Sequence, residues 1–118
     1  MHELGIMTGV MESVTQSAEQ AGADKVLKVS LSVGVMTEAI EDALYFAFEA
    51  LSENTIAEGA KLDITIIQPK SRCLECGEEY EHDRFHVFCP KCESFATELI
   101  AGKDLFIESI EVDIPEDE

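Results

Sequence analysis

At 118 residues the chain has room for one compact unit, or for a small domain carrying a smaller lobe, and its 46% apolar content supports a core of modest size. Its 25 acidic residues against 8 basic ones give a formal charge of −17, which repels phosphate backbones and counts against a nucleic-acid partner while suiting cations or a basic protein surface. No apolar stretch approaches the ~20 residues that span a bilayer, and no basic region followed by an apolar run marks a signal peptide, so no membrane contact and a cytoplasmic location are expected.

From Leu4 to about Ala21, the residues Leu4, Met7, Met11, Val14 and Ala18 recur every three or four positions. That spacing predicts one face of an amphipathic helix, with Gly22 as its stop. Leu27, Val29, Leu31, Val33 and Val35 then alternate with Lys28, Ser30, Ser32 and Gly34, a half-buried strand. Thr37 is the expected N-cap of a second helix, with Glu38, Glu41 and Asp42 near its positive end and Ile40, Leu44, Ala47, Phe48 and Leu51 as its buried stripe. After a loop through Asn54 and Gly59, Leu62, Ile64 and Ile66 predict a second strand, which Pro69 ends. The cysteine segment covers about 71–94. Strand-like runs 94–100 and 104–114 follow, joined by the turn Ala101-Gly102-Lys103, and the tail 115–118 is expected to be solvated.

This order implies an α/β (α+β) fold: a small three-stranded sheet packed with two helices, with a zinc-ribbon-like lobe inserted before the final strand. Right-handed crossover makes the first two long strands parallel neighbours.

Cys73, Cys76, Cys89 and Cys92 form a C-x2-C-x12-C-x2-C array and are the only cysteines in the chain. Two such pairs place four thiolates on paired knuckles around one tetrahedral ion, and zinc is the expected metal. Four thiolates leave no open position for water, so the site is read as structural. Gly77 allows the tight turn after the first pair, and Tyr80, Phe85 and Phe88 are the expected apolar cluster of the lobe. His82 and His86 are read as exposed polar residues on a short hairpin, with a weak second metal contact or a pH sensor as the alternative.

At the other end, Met1-His2-Glu3 offers a chelating set. The Met1 amine, the His2 amide and the His2 imidazole can close fused rings on one ion, with the Glu3 amide in the fourth position. An in-plane nitrogen set suits Ni(II) or Cu(II). Position alone does not establish such a site, because a terminal histidine is ordinarily just solvated.

The Met1-His2-Glu3 opening, the stretches Val33-Gly34 through Glu38-Ala39-Ile40 and Phe46-Ala47-Phe48-Glu49, the loop Thr55-Ile56-Ala57-Glu58-Gly59-Ala60-Lys61-Leu62 and the Cys73/Cys76 and Cys89/Cys92 pairs, in that order, resemble the HypA/HybF family of hydrogenase maturation proteins. The resemblance implies a nickel metallochaperone rather than an enzyme. Such a protein hands Ni(II) to the large-subunit precursor of NiFe-hydrogenase, together with a HypB-type GTPase, and some members also serve urease. It further implies His2 as the principal nickel ligand, helped by the Met1 amine and the Glu3 backbone amide, and the four cysteines as structural zinc ligands. The implied domains are a nickel-binding α/β domain over 1–70 and 102–118 and a zinc-binding domain over 71–101.

The absence of a glycine-rich phosphate loop agrees with nucleotide hydrolysis belonging to a partner. Such a GTPase would present basic surface to this acidic chain if charge steers their encounter. One competing reading is a zinc-ribbon interaction module without nickel function. A second is a thiol-disulfide enzyme, which needs a reactive cysteine at a helix start.

Overall fold

The computed structural model describes residues 2–83 and 85–115. In chain order they form α1 (Glu3–Gln20), β1 (Lys25–Gly34), a 3-10 turn (Val35–Thr37), α2 (Glu41–Ser52), β2 (Lys61–Ile67), β3 (Lys70–Cys73), β4 (Glu79–Glu81), β5 (Thr97–Ala101) and β6 (Leu105–Asp113). The strands make two three-stranded sheets, ordered β2-β1-β6 and β4-β3-β5. The mixed α/β class, the two helices and the return of the last strand beside β1 agree with the pattern of the sequence. The second sheet, with its short β3 and β4, was not anticipated. The expectation for the tail lies, at 116–118, outside the described residues.

The chain divides into two compact units. One takes the chain up to Leu31, Ala39–Ile64 and the chain from Ile107 onward; the other takes Ser32–Glu38 and Thr65–Phe106. Three of the boundaries fall inside β1, β2 and β6, and the fourth, between Glu38 and Ala39, lies in the loop before α2.

In the first unit, α1 and α2 pack against each other. α1 buries Met7, Val10, Met11, Val14 and Ala18 along one stripe, while Leu4 is exposed. Its end is a Schellman motif: the Gly22 N–H donates to the Glu19 carbonyl and the Ala23 N–H to the Ala18 carbonyl. Gly22 takes φ 76°, the left-handed conformation that motif requires. α2 adds Leu44, Ala47 and Phe48, β1 adds Val26, Val29 and Leu31, β2 adds Leu62, and Ala57 comes from the loop between them.

Two sequence expectations are corrected here. Leu27 is 44% exposed and Val26 is buried, so the alternation of β1 starts only at Val29. The Val26 N–H is taken by the Ile56 carbonyl, 2.8 Å away, which ties the strand's first residues to the loop before β2. Thr37 is not the N-cap of α2. Glu38 enters the left-handed region (φ 61°), which interrupts the backbone and delays the helix to Glu41, with Ile40 at the N-cap.

In the second unit, β3 pairs antiparallel with β4 through Lys70↔Glu81, Ser71↔Tyr80 and Arg72↔Glu79. On its other side β3 pairs antiparallel with β5, with an irregularity between Lys70 and Ser71. The Arg72 guanidinium meets Glu98 at 2.8 Å across that ladder. Two glycines let three chain segments meet. A Cβ on Gly34 would lie 2.2 Å from the Gly102 backbone, and one on Gly102 would lie 2.7 Å from Pro69 Cα. The Gly102 carbonyl accepts from the Met36 N–H, and the Gly34 N–H donates to Asp104. Only glycine allows this approach, because Gly102 also sits at φ 83°.

Among the described residues no helix is long and apolar enough to cross a membrane.

Two of the left-handed glycines, Gly22 and Gly102, make a testable pair. Gly22 has open space where a Cβ would go, so Gly22→Ala is expected to cost only the left-handed strain, about 1–2 kcal/mol. Gly102→Ala adds a backbone collision to the same strain and should cost clearly more in denaturant unfolding. Equal losses would show that the Gly102 contact is not tight.

Candidate metal centre

The sequence around each cysteine pair builds the same backbone turn. Cys73 donates its N–H to the Glu78 carbonyl and accepts from the Gly77 N–H; Cys89 donates to Ser94 and accepts from Glu93. The fifth residue of each turn is left-handed: Gly77 at φ 79° and Glu93 at φ 61°. Gly77 was legible as a turn residue, whereas Glu93 was not, because a glutamate carries no signal for positive φ. Inside the turns, the Cys76 N–H points at the Cys73 sulfur (3.5 Å) and the Lys91 N–H at the Cys89 sulfur (3.4 Å). Such donors favour thiolates.

The two turns bring the four sulfurs within 4.8 Å of one another. Cys73 Sγ lies 3.5 Å from Cys92 Sγ, and Cys76 Sγ lies 3.6 Å from Cys89 Sγ. All four cysteines are free thiols. A tetrahedral ion with metal–sulfur bonds of about 2.3 Å sets its sulfurs about 3.8 Å apart, so the cluster fits that geometry closely. Among the described residues this is the only set of three or more His, Cys, Asp or Glu side chains converging on one point. Among the described residues neither pair opens a helix.

The electrostatics of the thiols point the same way. The Cys73 thiol is lowered to about 7, chiefly by the N–H of Cys76 on its sulfur. Cys76 is raised: the Glu78 N–H favours its thiolate, but burial and the sulfurs of Cys89 and Cys73 outweigh that donor. Cys92 is pushed up to about 12, because the Cys73 sulfur, burial and the other two thiols outweigh the Ser94 N–H. One thiolate therefore forms near neutrality and resists its neighbours' ionisation. A divalent cation reverses that repulsion and allows all four to ionise.

Cys73 and Cys89 are buried and, with Tyr80, make up the buried cluster of this lobe; Cys76 and Cys92 are exposed. The Tyr80 hydroxyl donates to the Val87 carbonyl at 2.6 Å. Phe85 and Phe88 do not join that cluster as expected. They are 79% and 42% exposed, and Phe88 stacks edge-on with Phe95 instead. His82 holds the Ser71 hydroxyl at Nε2 (2.7 Å) and the Asp83 carbonyl at Nδ1 (2.6 Å), so neither ring nitrogen is open to a metal. His86 Nδ1 rests on the Asp83 carboxylate at 2.8 Å.

At the chain start, Met1 lies outside the described residues. His2 is exposed at the N-cap of α1, and its carbonyl accepts the Ile6 N–H at 3.0 Å. The N–H groups of His2 and Glu3 precede the helical ladder and so have no intrahelical partner. Glu3 was read only for its backbone amide. In the fold its side chain is buried, and Oε2 accepts the Ile40 N–H at 2.8 Å. That bond, followed by one from Glu3's own N–H, holds the carboxyl below the ordinary glutamate value of 4.5.

Two pH effects follow. Protons compete with the metal for sulfur, so a metal-loaded chain should retain its ion at pH 7 and release it on acidification, read with a chelating dye; retention unchanged to pH 4 would contradict a four-thiolate site. Because Glu3 has a depressed folded value, its contribution is present above the unfolded value and is lost as pH falls through the folded one. Glu3→Gln should therefore flatten the decline of the thermal midpoint below about pH 5, and an unaltered acid limb would contradict the Ile40 bond.

Residues 1–112 match the family model described as "Hydrogenase/urease nickel incorporation, metallochaperone, hypA". The hydrogenase maturation factor HypA of Dehalococcoides mccartyi (strain CBDB1) is 40% identical over 113 residues, covering 96% of this chain and 95% of that protein. The factor of the same name from Methanocaldococcus jannaschii is 39% identical over 121 residues, covering 96% and 98%. The solution structure of the Ni metallochaperone HypA from Helicobacter pylori superposes with a TM-score of 0.73 at 20% identity, covering 98% of this chain and 100% of that one. That similarity speaks for the fold.

Proposed function

This chain belongs to the HypA family, and from that membership we propose that it is a nickel metallochaperone that binds Ni(II) at its N-terminus and delivers it during maturation of NiFe-hydrogenase. The observation that carries the reading is the match over residues 1–112, which includes the Met1-His2-Glu3 opening. His2 supplies the imidazole and its own amide, Met1 its amine and Glu3 its backbone amide. The place of His2 at the N-cap and of Glu3 at the first residue of α1 supports this role, because neither N–H donates to a helical carbonyl, although that of Glu3 meets its own carboxylate.

The ligand set makes the site suited to release. Ni(II) must displace protons from the amine, the imidazole and the amides to bind. Affinity therefore falls as pH falls. Ni(II) is cargo here, and no bond is made or broken in it, so the protein is not an enzyme.

Cys73, Cys76, Cys89 and Cys92 hold a structural Zn(II), supported by the fit of their sulfurs to a tetrahedron. The domain over 1–70 and 102–118 carries nickel, and the domain over 71–101 carries zinc. The charge of −17 suits a HypB-type GTPase with basic surface, and the receiving protein is the hydrogenase large-subunit precursor, with urease maturation as a further destination. This work takes place in the cytoplasm.

Metal analysis by mass spectrometry tests the reading on untagged protein, on His2→Ala and on a chain with residues added ahead of Met1, each exposed to Ni(II) and freed of excess. About one zinc in all three, with nickel only in the first, is expected. Equal nickel in all three would contradict the N-terminal site and favour the interaction module or a nickel site elsewhere in the chain.

A further inference from the structure

The start of α2 lacks what a helix start ordinarily has. Its N-cap is Ile40, whose side chain offers no acceptor, and no side-chain cap bond is made there. A carboxylate three residues into the helix often reaches back to the N-cap N–H, but that position is Ala43. The missing bond is supplied by Glu3, 37 residues earlier in the chain, at 2.8 Å. Glu3 is buried while His2 before it and Leu4 after it are exposed. Its side chain thus anchors the chain start to α2 and leaves the flanking His2 imidazole open.

We propose that the Glu3 carboxylate is a positioning group of the nickel site, holding residues 2 and 3 to Ile40 rather than binding the metal itself. The inference rests on the N-terminal nickel reading above and deepens it. Terminal residues are ordinarily frayed, and ordering them for a metal costs about 1–2 kcal/mol for each backbone residue fixed. Glu3 meets that cost in the metal-free chain through the Ile40 bond, so Ni(II) finds the His2 and Glu3 amides already placed. A carboxylate that turned instead to the metal would leave the Ile40 N–H without its acceptor and α2 without a cap.

The same geometry makes α2 a reporter of loading. The Glu3 carboxylate also accepts from the backbone N–H of its own residue. Ni(II) entry removes that proton, released to solvent, and leaves the Ile40 N–H as the remaining donor of the two. The Ile40 amide should therefore change in NMR shift and exchange rate as nickel is added, although Ile40 supplies no ligand.

Three variants separate positioning from ligation, using untagged, zinc-replete chain and a chromophoric chelator competing for Ni(II). Glu3→Gln keeps an oxygen acceptor for Ile40 and should bind nickel within about fivefold of wild type. Glu3→Ala removes the acceptor and should weaken binding by about 10–100-fold. Ile40→Pro removes only the donor; Ile40 is exposed and its φ of −86° is near that of proline. It should weaken nickel to a similar degree with Glu3 intact. Far-UV circular dichroism and zinc content check the fold, and if Glu3→Ala fails that check, Ile40→Pro and Glu3→Gln decide. Wild-type affinity in Ile40→Pro together with lost binding in Glu3→Gln would overturn the proposal and make the carboxylate a ligand. Nickel binding that His2→Ala leaves unchanged would instead remove the N-terminal site itself, and the positioning role with it.

Discussion

Four sulfurs within 4.8 Å of one another cannot all be anions without a cation among them. That constraint governs the lobe around β3, β4 and β5, where one buried cluster among the described residues is two cysteines and one tyrosine. A lobe with so little apolar interior does not hold together by burial alone and needs a staple. Its ladders are short and its ion pairs, such as Arg72 with Glu98, are exposed and contribute little. The two matched turns, each closed by a left-handed residue, shape the backbone so that the sulfurs converge. Three phenylalanines, Phe85, Phe88 and Phe95, stay at the surface, outside the buried cluster of Cys73, Tyr80 and Cys89.

The first unit solves the opposite problem. It has a conventional core from α1, α2, β1 and β2, and on the proposed reading it must keep one chain end both ordered and open. A buried Glu3 between exposed His2 and Leu4 does this with one side chain. The bond to Ile40 caps a helix that has no cap of its own, and it fixes the backbone whose nitrogens are proposed to meet nickel. The weak acids among those nitrogens make binding reversible with pH, whereas the cysteine site, with four anionic ligands, is suited to retention.

Much of this was legible from residue order. The Met7, Met11, Val14 and Ala18 stripe of α1, the Leu44, Ala47 and Phe48 part of the α2 stripe, the Gly22 stop, the later part of β1 and the return of β6 follow from spacing, whereas Leu4 and Ile40, expected in those stripes, are exposed and Leu51 is half-buried. The cysteine site was legible because its chemistry demands those residues at that spacing. What was missed depends on distant partners or on replaced packing. Thr37 looks like a cap, but the left-handed Glu38 moves the helix start, and the bond at its N-cap comes from a residue 37 positions away. β3 and β4, reading Lys-Ser-Arg-Cys and Glu-Tyr-Glu, are too short and too polar to show a period. Phe85 and Phe88 read as core because nothing in their pattern reports that Cys73 and Cys89 would take the buried places beside Tyr80.

The central claim is that nickel sits at the chain start, apart from the sulfur site. X-ray absorption at the nickel edge, on untagged chain loaded with one equivalent of Ni(II) and one of Zn(II), tests it most directly. The account predicts a planar shell of nitrogen ligands including one imidazole, with no sulfur neighbour. Sulfur scattering at about 2.3 Å from nickel would place the ion among Cys73, Cys76, Cys89 and Cys92 and contradict it.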